Sequence, residues 1–442
     1  MNVAVLRTKA EQALTENFEL VAGKLPGGPA VGKVRNAAIG RFGALGLPTR
    51  RVEAWKYTDL RNALKEAFPL SLNDTTPVEA ADVAAALGPL SEIDAHRVVW
   101  VNGAYRAALS NADGVDVTPL AQALSSDETA GTLLSAMGDN DDPVLALNTA
   151  YASDGAVVRI AEKTKLAKPL LLVYLRAGGK PSLVATRNVV SVGDGAQATI
   201  IEAFVSVPGA SAGAQQLAAT EIVVGEGASV THVKCTTDAG TATYLANWRV
   251  DLAADANYRG FQFTSGAALV RNQTNVTYKG ERAHFDLSGV FLARNSEHID
   301  TTLVVDHAVP KGTSRELFKG VLQDTARGVF QGKVIVRPDA QKTDGKQMVQ
   351  VLMLSPEAEF DSKPELEIYA DDVVCGHGST NIDLDEDLLF YCRSRGIPEA
   401  QARSLLIESF IGEAIEKVED EALRDAFTAL TRRWLGQAAK RI

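Results

Sequence analysis

Two segments of this chain repeat one another. NVVSVGDGAQATIIE (Asn188 to Glu202) aligns with TEIVVGEGASVTHVK (Thr220 to Lys234), so that Val192, Gly193, Gly195, Ala196 and Thr199 recur at the same spacing as Val224, Gly225, Gly227, Ala228 and Thr231. A weaker echo, TYKGERAHFDL, lies at Thr277 to Leu287. Each copy reads as a strand, an acidic-glycine turn and a second strand. One such unit cannot close a core alone, so its recurrence implies stacked coils, each burying its apolar side on the next. From about Gly155 to Asp372 the chain keeps this texture: short runs rich in Val, Ile, Thr and Phe, broken by Gly and Asp, without helical period. The expected fold is mainly β, a β-solenoid first and a large β-sandwich second.

The flanks differ. The first ninety residues read as helical, with Trp55, Leu60 and Leu64 of RVEAWKYTDLRNALKEAF near helical spacing, while VNGAYRAALS carries the Asn-Gly signal of a tight hairpin. After Asp383 the pattern turns helical again. LDEDLLFYCRSRG ends at Gly396, a C-terminal cap, and the next helix restarts with Pro398 near its first turn. Leu405, Leu406, Phe410, Ile411 and Ala414 then form an apolar stripe that packs on the solenoid or receives another protein. Three regions follow: a mixed helical region at 1–150, a β core at 151–382 and a helical region at 383–442.

Charge and targeting signals narrow the function. Lys+Arg 45 against Asp+Glu 55 gives a net charge of −10 with no block of like charge, which argues against nucleic acid or an anionic membrane as partner. MNVAVLRTKAEQALTENFEL lacks the basic and apolar regions of a signal peptide, and no apolar run approaches the roughly 20 residues of a spanning helix. A cytoplasmic location is expected. Three cysteines, Cys235, Cys375 and Cys392, suit a reducing compartment and cannot furnish four thiolates from one chain.

Several motifs compete for a catalytic reading. GGPAVGKV (Gly27 to Val34) fits seven positions of a phosphate-binding loop, but Val34 has no hydroxyl for magnesium and Pro29 removes an N–H from the cradle. GASAG (Gly209 to Gly213) matches a hydrolase elbow around Ser211, yet its surroundings are a loop of small residues. His298, Asp300, Asp306 and His307 are metal-ligand types, but the histidines stand nine apart with an apolar run between. In DDVVCGHGST (Asp371 to Thr380), strand alternation sends Val373, Cys375 and His377 to one face and Val374, Gly376 and Gly378 to the other. Thiol and imidazole then share a side. They either fill an apolar face or project toward a site, where soft sulfur beside imidazole suits iron or zinc.

The run DDVVCGHGSTNIDLDEDLLFYCRSRGI, with VDHAVPKGTSRELFKGVLQDTARGVFQGKVIVRPDAQKTDGKQ before it and RVEAWKYTDL near the N-terminus, closely resembles the SufB/SufD family of the Suf iron–sulfur cluster assembly complex. The likeness covers most of the chain and leans to the SufD branch through RVEAWKYTDL and the few cysteines. Ile382 departs from it, standing about where the family has a glycine. The resemblance implies a right-handed parallel β-helix between helical termini and a scaffold that is not itself an enzyme. It implies pairing with a SufB-like subunit through the β-helix, and an ABC-type ATPase, SufC-like, held by the C-terminal helices. It also implies His377 as ligand of a transient iron–sulfur cluster shared with SufB, with Cys375 as its neighbour and no cofactor held tightly by the isolated chain. Clusters are mostly held by several thiolates, so one chain offering Cys375 and His377 supplies part of a shared site. Whether the isolated chain homodimerises stays open. The alternative is a β-solenoid hydrolase using His298, Asp306 and His307, or Ser211.

Overall fold

The computed structural model describes residues 7–126, 131–135, 142–210, 213–238 and 241–439. Two sheets of ten and nine strands, parallel except at their first edges, face each other, and the chain alternates between them in a solenoid of about eight turns. Ser182–Val192 lies in one sheet, Gln197–Ser206 in the other, and Ala214–Val224 returns beside the first. The sequence repeat is one coil, because Val192 pairs with Val224 and Thr199 with Thr231. Coil length then drifts. Leu252 pairs with Tyr278 across a shorter coil, and His298 with Arg327 across one of intermediate length. A fixed period therefore fades from the sequence while the fold continues.

The glycine turns are one corner of the stack. Gly195 and Gly227 hold φ of 64° and 62°, and Asp255, Arg282, Lys311 and Lys342 take the same left-handed conformation at this corner of later coils. Gly193 and Gly225 serve another purpose, since a Cβ on Gly193 would stand 2.7 Å from the Glu162 amide nitrogen. A Cβ on Gly225 would stand 2.8 Å from that of Asp194. Here the backbones of successive coils touch, and only glycine fits. Ala196, Ala228, Ala256 and Ala283 follow the turns and are fully buried, so a column of methyl groups lines the corner. Larger side chains fill the lumen in stacks, such as Trp100 on Tyr174 and Tyr174 on Phe204, with centroids 5.1 and 4.8 Å apart.

Both outer faces are covered. Helices Lys9–Val21, Pro29–Leu45 and Pro143–Tyr151 lay Leu14, Phe42 and Leu147 on Leu183, Leu217 and Leu245 of the nine-stranded sheet. Helices Glu399–Ile415 and Glu421–Ala439 cover the ten-stranded sheet with Ile407, Ile411, Ala414 and Phe427, over Cys235, Phe261 and Phe263. The C-terminal stripe is thus rotated from expectation. Ile411 and Ala414 are core, Leu405 is exposed, and Phe410 is half-buried with its ring 4.2 Å from the Lys319 ammonium. Among the described residues no helix is long and apolar enough to cross a membrane.

The N-terminal region departs from a helical reading. Between Gly46 and Glu79 only Glu53–Trp55 and Leu60–Ala63 are helical. Trp55, Leu60 and Leu64 are buried as their spacing implies, but contacts with the solenoid replace helix hydrogen bonds. Arg271 stacks on Trp55 at 4.0 Å, and its guanidinium donates to the Ala54 carbonyl at 2.6 Å. The Asn-Gly hairpin forms as expected, with Asn102 and Gly103 both at positive φ and Val101 paired with Ala104. Its first strand, His96–Val101, runs parallel to Leu170–Arg176 and extends the ten-stranded sheet.

The two kinds of corner glycine should respond differently to substitution. Gly225→Ala should destabilise by about 1 to 3 kcal/mol because the coil above must lift. Gly227→Asn should cost less than about 1 kcal/mol, since asparagine tolerates the left-handed region. Urea unfolding of the two variants checks the order.

Candidate functional site

The two ends of the solenoid are finished differently. At the first end the sheet edges stop in short antiparallel strands, Ala104–Tyr105 and Asp116–Pro119. At the far end lie Glu359–Ile368 and Val374–Ile382, each paired on one side only, with Arg327–Val336 and Asp344–Met353 respectively. Among the described residues no strand pairs with their outer edges.

Cys375 and His377 stand on this last strand and face the lumen together. Cys375 lies in register over Gly345, and its Sγ is 3.8 Å from where a Cβ on Gly345 would be. It packs with Val334, Val336 and Ala340 and is half-buried, whereas His377 at the mouth is exposed. On the outer side the glycines make room: Gly378 lies under the Met348 thioether, and Gly376 has open space beside it. Burial raises the Cys375 thiol pKa, and the nearby Asp344 and Glu316 carboxyls add to this against a hydrogen bond from the Gly345 backbone. Such a thiol becomes a thiolate when a metal or a partner's charge displaces its proton.

Beneath the mouth is a polar column that sequence reasoning missed. His377 pairs in register with Gln347, and Gln347 with Glu316. Gln347 and Glu316 are each 3% exposed; neither amide atom of Gln347 has a hydrogen-bond partner, and the Glu316 carboxyl lies beside the Ser314 hydroxyl. Leaving such amide atoms unpaired costs about 1 to 3 kcal/mol each. Burial pushes the Glu316 pKa up to about 8. The available signal was alternation counted inward from Ser314 and Gly345, but strand pairing is needed to bring these rows under His377.

The other candidates disperse. His298 and His307 begin and end one strand and, an odd number of positions apart, point to opposite faces. The Thr58 hydroxyl donates to Asp300 and accepts from His298 Nε2 at 3.0 Å, and Asp300 also pairs with Arg271. These groups pin the N-terminal segment to the solenoid. Asp306 pairs outside with Arg337 at 2.9 Å, while His307 stacks inside on Tyr278. Burial lowers the pKa of both histidines to about 4. Lys33 sits exposed within helix Pro29–Leu45, so the loop-like GGPAVGKV is a helix start. Ser211 lies outside the described residues. Among the described residues no three His, Cys, Asp or Glu side chains converge on a point that could hold a metal.

Residues 174–410 match the model of the SufBD core domain of the SUF iron–sulfur cluster assembly system, and residues 15–172 match the SufBD N-terminal region. The chain belongs to the SufBD family. It is 32% identical over 392 residues to the iron-sulfur cluster assembly protein SufD of Escherichia coli, covering 87% of this chain and 88% of that one. A SufBD family protein of Synechocystis, slr0076, is 31% identical over 87% of this chain and 86% of its own. SufD of Bacillus subtilis is 25% identical over 66% and 67%. This SufBD-family chain is therefore an iron–sulfur cluster assembly protein and a SufD homologue. The core match includes the last coil with Cys375 and His377.

The buried carboxyl predicts a pH response. Above about pH 4.5 an unfolded chain releases the Glu316 proton that the folded chain keeps until about pH 8, so this group lowers stability as pH rises between those values. Glu316→Gln removes the effect. Its melting temperature should gain on the parent's from pH 4.5 to 8 and hold a constant lead above; parallel melting curves across that range would refute the buried carboxyl's role.

Proposed function

We propose that this chain is a non-catalytic scaffold that pairs with a SufB-like subunit through the open end of its solenoid. There it supplies His377, with Cys375 beside it, to a shared site where a nascent iron–sulfur cluster is built. The observation that carries this reading is the contrast between the two free edges. Glu359–Ile368 is blunted by Glu359, Asp361, Lys363, Pro364, Glu365 and Glu367, the devices by which a sheet edge avoids pairing. Val374–Ile382 has no charge and no proline along its whole length. An edge left so open is suited to a strand from a partner.

The cysteine positions fit a shared site. Cys235 is buried under the C-terminal helices and Cys392 lies on helix Glu386–Ser394, so Cys375 is the thiol at the mouth. A cluster needs further thiolates, which the SufB-like partner would bring. Iron and sulfide are cargo here. The hydrolase alternative loses its histidine centre, since His298 and His307 face apart.

The C-terminal helices offer a second surface, which we assign to a SufC-like ATPase acting in the cytoplasm. Phe390, Tyr391, Leu388 and Leu405 are 71%, 56%, 51% and 46% exposed on adjacent helices. Phe390 also lines a groove of about 510 Å³ with Met353, Leu354 and Leu389, and with Arg393 and Arg403 among its charged residues. Apolar surface of this kind marks an interaction site.

Two substitutions test the reading in a complex co-expressed with SufB-like and SufC-like subunits. His377→Ala should leave assembly and the mass by size exclusion unchanged while cutting the iron and sulfide carried by the complex by more than half; full cluster content would overturn the ligand role. Phe390→Asp should reduce capture of the ATPase at least tenfold while the solenoid's melting temperature stays within about 2 °C, as expected for a surface substitution. Unchanged capture would move the ATPase elsewhere.

A further inference from the structure

The lumen below Cys375 and His377 is built around a carboxamide. Neighbouring parallel strands lie about 4.8 Å apart, so the in-register row His377, Gln347, Glu316 runs inward from the mouth in steps of that size. The Gln347 side chain crosses the lumen to the backbone of Gly332, where any Cβ would run into its amide group. Glycine at 332 therefore gives this carboxamide its place. Gln347 is buried with both amide atoms unpartnered, directly beneath the mouth, and the buried Glu316 carboxyl lies below it. A buried amide with neither atom paired can be completed by a water or an ion.

We propose that Gln347 is a third ligand of this mouth, its Oε1 joining Cys375 Sγ and His377 to hold a borderline divalent cation such as Fe²⁺ weakly in the free chain. Sulfur, nitrogen and amide oxygen form a donor set suited to such an ion. Glu316 is the positioning residue. With the ion bound, one of its carboxyl oxygens would accept from Gln347 Nε2 and turn Oε1 toward the mouth, in the way outer partners orient the groups that touch a metal. A neutral carboxyl suffices, because the role needs an acceptor and not a charge. The inference rests on the reading of His377 as a ligand and adds what lies behind it.

Co²⁺ serves as the probe, titrated into the full-length chain and followed by its thiolate charge-transfer and visible d–d absorption. The parent chain should bind in the micromolar to millimolar range. Gln347→Leu should weaken binding at least tenfold without lowering the melting temperature, since it removes unpaired polar atoms. Gln347→Glu keeps an oxygen donor, adds charge and should bind Co²⁺ more tightly than the parent, which tests the site even if the leucine variant fails to fold. Glu316→Met should weaken binding severalfold, and Glu316→Gln, which retains an acceptor, should restore it. Unchanged affinity in Gln347→Leu, or no tightening in Gln347→Glu, while His377→Ala weakens binding, would overturn the third ligand and leave the His377 reading standing. Unchanged affinity in His377→Ala would overturn that reading and this one with it. A parent chain that takes up no Co²⁺ at millimolar concentration would overturn the three-donor site.

Discussion

Residue-by-residue hydrogen bonding between successive parallel coils is the constraint on which the rest of this molecule depends. Because Val192 sits beside Val224 and Gln347 beside His377, whatever occupies one lumen position stacks on the same position of the coils above and below. Corners must then be narrow enough for backbones to touch. Glycine at 193 and 225 and alanine at 196, 228, 256 and 283 follow from that geometry, as do the aromatic stacks that fill the wider part of the lumen.

The same stacking creates the end that carries the candidate site. A solenoid has no natural last coil, so each end must be blunted or offered to a partner. Short antiparallel strands finish the first end, while charge and proline protect one of the two final edges. The unprotected edge carries Cys375 and His377. In the proposed function, site and docking edge thus share one strand. A partner that completed this sheet would also cover the mouth and change the solvation of both side chains.

Helices on both outer faces leave the end free. The N-terminal segment is fastened by Arg271, Asp300 and His298, which hold Trp55 and Thr58 against the nine-stranded sheet. The C-terminal helices bury Ile411 and Phe427 while presenting Phe390 and Leu405 outward, so one helical region both closes a sheet face and exposes an apolar patch. His298 and Asp300, which look like metal ligands in the sequence, are fasteners, and His307 fills the lumen.

The echo around Gly193 and Gly225 already favours a solenoid over a sandwich, and strand alternation already puts Cys375 and His377 on one face. Both are local properties, set by turn chemistry and a period of two. The sequence also marked the hairpin at Asn102 and Gly103 and the burial of Trp55, Leu60 and Leu64, though not their irregular backbone, which contacts from distant parts of the chain impose. Which strand ends the stack, which edge stays open, and the place of Gln347 and Glu316 beneath His377 emerge only once the coils are packed. Those facts depend on register between strands a whole coil apart, and variable coil lengths hide that register until the coils are stacked.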